Sequence, residues 1–134
     1  MKQNYVIFVD DEIELHSLIK QKFKTELRSK MFELECFENG RVCFDFVDNN
    51  AEKINFLIII TDLNMPVMNG FELLSKIKAK YPHIPVTISS AYGDRGTIEK
   101  AKSMGAKDFY EKPIDFNILK TGILELLEQA QASN

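Results

Sequence analysis

The sequence predicts an α/β fold, a doubly wound, five-stranded parallel sheet with helices on both faces. Two observations carry that expectation. Short runs of apolar and β-branched residues are too uniformly apolar to alternate in and out, so they read as strands buried on both sides. Each run is followed by apolar residues at helical spacing, so strand and helix take turns along the chain. A third observation points past architecture: polar residues able to do chemistry stand directly after the strands.

Residues 5 to 9 (YVIFV) form the first run and end at Asp10; beyond it Ile13, Leu15, Leu18, Ile19, Phe23 and Leu27 trace a helix. The pair returns as a strand at residues 56 to 61 and a helix through Phe71, Leu74, Ile77 and residues 78 to 81, which Pro82 stops. Residues 85 to 89 (PVTIS) make another strand, and Ile98, Ala101 and Met104 a helical stripe closed by Gly105. Residues 109 and 110 are a brief strand core, and Phe116, Leu119, Ile123, Leu126 and Leu127 form a last stripe. One stretch disagrees. Residues 33 to 46 (ELECFENGRVCFDF) alternate on both sides of Asn39-Gly40, which taken locally is a hairpin signature. The competing reading is a strand at 32 to 37 with Gly40 opening a helix through Val42, Cys43, Phe46 and Val47. The βα rhythm of the rest favours the helix.

At 134 residues with 45% hydrophobic content, the chain fits one domain, residues 1–134, with a real core. Its formal charge of −3 comes from 17 basic and 20 acidic residues interspersed along the chain, which declares no face for nucleic acid or for anionic lipid. The densest basic run, Lys20, Lys22, Lys24, Arg28 and Lys30, reads as a solvated helix face. Two cysteines, Cys36 and Cys43, sit amid apolar neighbours and are expected to be buried and inert. With no signal-peptide pattern and no apolar run near the ~20 residues of a membrane helix, the reading is a reduced, soluble, cytoplasmic protein. Repeats, low-complexity tracts and linkers are absent from the sequence.

In an open parallel sheet, functional groups gather beyond the carboxyl ends of the strands, where strand order switches. There the sequence places Asp10, Asp11 and Glu12 after the first strand, Asp62 after the third, Ser89 and Ser90 after the fourth, and Lys112-Pro113 after the fifth. Carboxylates brought together repel and raise one another's pKa unless a cation sits among them, so a divalent ion is implied. All-oxygen ligands suit Mg²⁺, with Mn²⁺ as a substitute. His16, on the first helix, and His83, in a turn before Pro85, supply no transition-metal site and read as structural or solvent-facing. With a metal present, an aspartate held at a strand end can attack phosphorus and form an acyl phosphate. Asp62 is best placed for this, Lys112 would neutralise the incoming charge, and Ser90 with the Ala91 backbone N–H would hydrogen-bond the phosphoryl oxygens.

The Asp10-Asp11 pair, the run 62–70 (DLNMPVMNG), Ser90-Ala91 and Lys112-Pro113 resemble the receiver domain of bacterial two-component response regulators, with its flavodoxin-like, CheY-like fold. The likeness spans residues 5 to about 127. It implies that Asp62 accepts a phosphoryl group from a sensor histidine kinase or histidine phosphotransfer protein, that Asp11 and Asp62 ligate Mg²⁺ directly and Asp10 through water, and that Asn64 offers its backbone carbonyl. It puts Ser90 at the family's Thr/Ser switch, Phe109 at its rotating aromatic, and a cis bond at Lys112-Pro113. Ser for Thr and Phe for Tyr are departures that bear on the strength of switching, not on phosphorylation. Tyr92 and Asn64, each two residues past a site residue, flank the path of an attacking water. Residues 97 to 127 are the face expected to change and to meet a downstream effector or a covalently linked output domain, with homodimerisation on phosphorylation. No direct contact with nucleic acid or membrane is implied. After the last stripe come Ala132, Ser133 and Asn134, so a stand-alone receiver and the excised receiver of a longer regulator both stay open.

Taken singly, each residue has an ordinary explanation. Asp10 or Asp11 could cap the first helix, Asp62 could begin a turn completed by Pro66 and Gly70, Ser90 could be a turn hydroxyl and Lys112 a surface charge. Met65 and Met68 read as apolar packing beside a loop. What these explanations omit is the joint placement after four different strands. Among enzymes, the alternative is an aspartyl-phosphate phosphatase of the haloacid dehalogenase type, which repeats its aspartate two positions on; here that position is Asn64, a poor proton donor. A flavodoxin-like or dinucleotide-binding module would want a Gly-rich or Ser/Thr-rich phosphate loop where Asp10, Asp11 and Glu12 would repel an anion.

Overall fold

A computed structural model describes residues 2–132. The elements are β1 (Gln3–Val9), α1 (Ile13–Lys22), α2 (Lys24–Arg28), β2 (Glu33–Phe37), α3 (Gly40–Asn50), β3 (Ile54–Asp62), α4 (Gly70–Lys80), β4 (Val86–Ser90), α5 (Arg95–Ser103), β5 (Phe109–Glu111) and α6 (Phe116–Ala132), with a 3-10 turn at Ala51–Lys53. The strands pair in parallel in the order β2-β1-β3-β4-β5. The chain thus runs from β1 to one edge, then crosses back past β1 to build the other half, and strand order reverses between β1 and β3.

The central strands fail to alternate because both of their faces are covered. Ile7, Val9, Leu57 and Ile59 pack with Cys43 and Val47 of α3, Leu73, Leu74 and Ile77 of α4, and Ala101 of α5. Their neighbours Val6, Phe8, Ile58 and Ile60 point the other way, onto Ile19, Phe23 and the α6 residues Leu119, Ile123 and Leu127. Full burial contributes roughly 1.5–3 kcal/mol for each such side chain, so this double core dominates the favourable side of folding.

The stretch at 33–46 takes the helical alternative. β2 pairs in parallel with β1, and α3 begins at Gly40 with the Asn39 side chain accepting from the Val42 N–H at 3.0 Å. That cap and the burial of Cys43 and Val47 outweigh the local alternation. The single first helix expected from Ile13 to Leu27 is instead bent at Phe23 (φ −101°, ψ 15°). The i→i−4 bonds Phe23 N–H to Ile19 C=O and Leu27 N–H to Phe23 C=O carry the chain across the bend. Its cause is an outside donor and a pinned ring: Lys120 Nζ donates to the Lys22 carbonyl at 3.0 Å, and Phe23 packs against Phe8 and Phe32. Cys43 is buried as expected, whereas Cys36, on the edge strand β2, is only half-buried; burial pushes both thiols up. The basic run is exposed, as a solvated face should be. Among the described residues no helix is long and apolar enough to cross a membrane. Ser133 and Asn134 lie outside the described residues.

Candidate functional site

The register of the sheet builds the site. Val9 pairs with Thr61, so Asp10 and Asp62 leave neighbouring strands side by side, and Asp62 pairs with Ser89 on the next strand. Strands lie about 4.8 Å apart, and both acids follow the same in-out alternation. The Asp10, Asp11 and Asp62 carboxylates accordingly offer oxygens that all lie within 4.8 Å of one another. Asp10 and Asp62 are buried, at 4% and 9% exposure, while Asp11 is open to solvent.

Lys112 completes the cluster. Its Nζ lies 2.6 Å from Asp10 Oδ2, 3.5 Å from Asp62 Oδ1 and 3.7 Å from Glu12 Oε1, and its backbone N–H donates to the Ser90 carbonyl at 2.8 Å. Burial works against the Lys112 charge, but the bond to Asp10 and the surrounding carboxylates outweigh it and hold the pKa above the ordinary lysine value. Burial pushes the Asp62 carboxyl up; the Lys112 charge opposes this, the Asp10 charge adds to it, and the Leu63 N–H opposes it again. An acid with a raised pKa beside two others is a site that gains from a hard cation. Three carboxylates with no nitrogen or sulfur donor fit Mg²⁺, with Asp10, Asp11 and Asp62 as the residues that would hold it.

Asp10 is tied at every polar atom. Its N–H donates to Phe37 C=O at 2.9 Å, Oδ1 accepts from the Glu12 N–H at 2.9 Å, Oδ2 accepts from Lys112, and the carbonyl accepts from His16 Nε2 at 2.7 Å. Asp10 therefore does make an ordinary side-chain turn onto Glu12, which coexists with the cluster, but it does not cap α1, whose N-cap is Glu12 with no side-chain cap hydrogen bond.

The loop after Asp62 is tightly held. Asn64 is exposed, two residues past the acid. Met68 N–H donates to Pro66 C=O at 2.7 Å, closing a three-residue turn on Val67, which has φ 68° and is 78% exposed. Left-handed backbone is costly for a β-branched residue, and three ties hold it in place. Met68 is buried, its carbonyl accepts from the Gly40 N–H at 3.1 Å, and the Gly70 N–H donates to Leu63 C=O at 2.9 Å. A Cβ on Gly70 would run into the Asp62 carbonyl, so α4 can begin where it does only with glycine there. A capping box between Asn69 and Glu72 fixes that start.

Ser90 is buried, and its Oγ accepts from the Tyr92 N–H at 3.1 Å across an exposed Ala91. The Ser89 hydroxyl is buried and finds no hydrogen-bond partner. Phe109 is half-buried against the α3–α5 side of the core. The Lys112-Pro113 bond is cis. The fold thus gathers Asp10, Asp11, Asp62 and Lys112 directly, sets Asn64, Ser90 and Ala91 on adjoining segments, and packs a half-buried Phe109 against the core. Sequence reasoning gave His16 no part in this; its bond to a backbone carbonyl six residues back leaves no pattern in the sequence.

Known proteins resemble this chain over nearly its whole length. The family model for the response regulator receiver domain matches residues 6–124. The transcriptional regulatory protein ZraR of Klebsiella oxytoca is 34% identical over 96% of this chain, which spans 27% of the length of ZraR. Among solved structures, the signal receiver domain of a Vibrio parahaemolyticus protein described as a Luxo repressor superposes with TM-score 0.83 at 29% identity, covering 99% of this chain and 95% of that one. The CheX-CheY complex with BeF3 and Mg²⁺ from Borrelia burgdorferi aligns at 0.78 and 25% identity, covering 92% of this chain and 88% of that one. These likenesses give no support to the phosphatase alternative. With the acidic mouth and the doubly wound sheet already in place, the match over nearly the whole chain leads to one conclusion: the protein belongs to the receiver domain family of two-component response regulators.

Proposed function

We propose that this receiver, taken as one unit over residues 1–134, accepts a phosphoryl group on Asp62 in a Mg²⁺-dependent reaction, with Mn²⁺ as a substitute. The observation that carries the reading is the Lys112 ammonium lying 2.6 Å from Asp10 and 3.5 Å from Asp62 within a cluster of three carboxylates. A bound divalent ion would neutralise charge on the phosphoryl oxygens. Asp11 and Asp62 would hold the ion directly, Asp10 through water, and Asn64 through its backbone carbonyl. An Asp62 carboxylate oxygen attacks phosphorus as the bond to the donor's nitrogen or oxygen breaks, and the donor leaves with the electron pair and takes a proton. Lys112 stays charged throughout and can turn from Asp10 to the new phosphoryl oxygens. Ser90 Oγ exchanges its Tyr92 N–H for the same group, assisted by the Ala91 N–H, and Phe109 follows into the space vacated.

The donor is a sensor histidine kinase or a histidine phosphotransfer protein. The output is a downstream effector or a linked output domain meeting α5, β5 and α6, with homodimerisation as one route and no direct contact of this domain with nucleic acid or membrane. The protein acts in the cytoplasm and is no turnover enzyme; it assists only its own phosphorylation and dephosphorylation. Intact-mass analysis after incubation with acetyl phosphate tests the reading. Wild type should gain one phosphoryl group with Mg²⁺ and none with EDTA, and Lys112→Ala should gain it far more slowly. Equal labelling with and without the metal would defeat it.

A further inference from the structure

We infer that His16 is a positioning residue for the metal site: its Nε2–H, by holding the Asp10 carbonyl, fixes the peptide that joins Asp10 to Asp11 and so aims the Asp11 carboxylate. The inference rests on the reading of these acids as ligands given above. A carbonyl only accepts, so the 2.7 Å contact requires the proton on Nε2. The imidazole reaches back from the first turn of α1 and is itself half-buried.

The geometry makes this bond matter. Asp10 enters the site from β1 with its N–H on Phe37, and its carboxylate is divided between Lys112 and the Glu12 N–H. The orientation of the next peptide then depends on the remaining polar atom, the carbonyl, and His16 holds it. Among the described residues the Asp11 carboxylate has no hydrogen-bond partner of its own, so its direction comes from that peptide plane. Without the donor, the carbonyl would turn toward water and carry the Asp11 side chain with it. Partners that orient ligands in this way commonly alter metal affinity by roughly 10–100-fold when removed.

The test titrates Mg²⁺ alone into the full chain by calorimetry, comparing wild type, His16→Gln, His16→Phe and His16→Met, with thermal midpoints taken in EDTA. His16→Gln keeps an N–H donor and should bind within about threefold of wild type. The donor-free variants should bind roughly tenfold more weakly. In acetyl phosphate labelling they should need correspondingly more Mg²⁺ for half-maximal rate yet reach a near wild-type rate at saturation, which general destabilisation would not produce. The Met variant carries the test if the Phe variant does not fold. Wild-type affinity in a donor-free variant, or His16→Gln as weak as His16→Phe, overturns the role of His16. Failure of wild type to bind Mg²⁺ overturns the site reading, and this proposal with it.

Discussion

Asp62 and Asp48 sit at opposite ends of the sheet, and folding treats their carboxyls in opposite ways. Asp48, near the C-terminus of α3, is exposed and accepts from Lys80 Nζ at 2.7 Å and from the Tyr81 hydroxyl, which hold its pKa down. Asp62 is buried, has another acid beside it, and is held up. The same contrast runs through the two ends. At the amino end, exposed polar groups are matched to partners, as in the Asn55–Asn4 bond and the Lys78 ammonium on the Ile84 carbonyl. At the carboxyl end lie a cluster of three acids, two of them buried, a left-handed valine and an unpartnered serine hydroxyl. The middle of the sheet supplies stability, the amino end pairs polar groups such as Asp48 and Lys80, and the carboxyl end keeps unfavourable features.

Removing an unfavourable feature from the carboxyl end should therefore raise stability, whereas crowding that end further, or removing a matched pair from the amino end, should lower it. The largest effect is expected at Gly70, where an added Cβ would approach backbone more closely than at any other glycine. Gly70→Ala should lower stability by about 3 kcal/mol in urea denaturation, because its Cβ must displace the Asp62 carbonyl. Val67→Gly should act the other way and raise stability by about 1 kcal/mol, since relief of left-handed strain exceeds the added freedom of the unfolded chain. A loss of stability in Val67→Gly would mean that the turn is unstrained and would remove one leg of the comparison.

The pH profiles sharpen it further. Because the Asp62 pKa is raised on folding, the native state holds that proton more tightly, and stability falls as pH rises from the ordinary carboxyl range through the raised value. Asp62→Asn should thus be more stable than wild type at pH 7, on the order of 1 kcal/mol, with the advantage vanishing below about pH 3.9. The smallest effect belongs to Asp48, whose lowered pKa makes its contribution present above the ordinary carboxyl value and lost as pH falls through the depressed one. Asp48→Asn should cost a little stability at pH 7 and nothing in strong acid, read from urea midpoints across pH. Profiles of the same sign for both variants would erase the distinction between the ends.

Much of this was legible in the sequence, for a physical reason. Strands buried on both faces, such as residues 57 to 60, write themselves as unbroken apolar runs, so the acids that end them stand out. That is why Asp10, Asp11 and Asp62 could be named from the sequence, whereas Lys112 follows a short, half-buried strand and is marked by its place after it and by the family resemblance. The bend at Phe23 could not, because the donor that causes it, Lys120, comes from the far end of the chain. Nor could the backbone of Val67, since valine gives no sign of a left-handed turn; the turn is imposed by the burial of Met68 and the approach of Gly40 and Gly70. His16 was missed because its partner is a backbone carbonyl, which every residue has. The hairpin pattern at 33–46 misled locally, because its alternation came from a helix face and an edge strand lying end to end.

The central claim, that the carboxyl-end cluster takes up phosphorus on Asp62, is tested most directly by trapping the acyl phosphate. Borohydride reduction of the acetyl phosphate-treated protein converts a phosphorylated aspartate to homoserine, which peptide mass spectrometry can locate. The account predicts homoserine at position 62, dependent on Mg²⁺. Homoserine at position 10 or 11, or none anywhere in a protein that has gained phosphate, would contradict it.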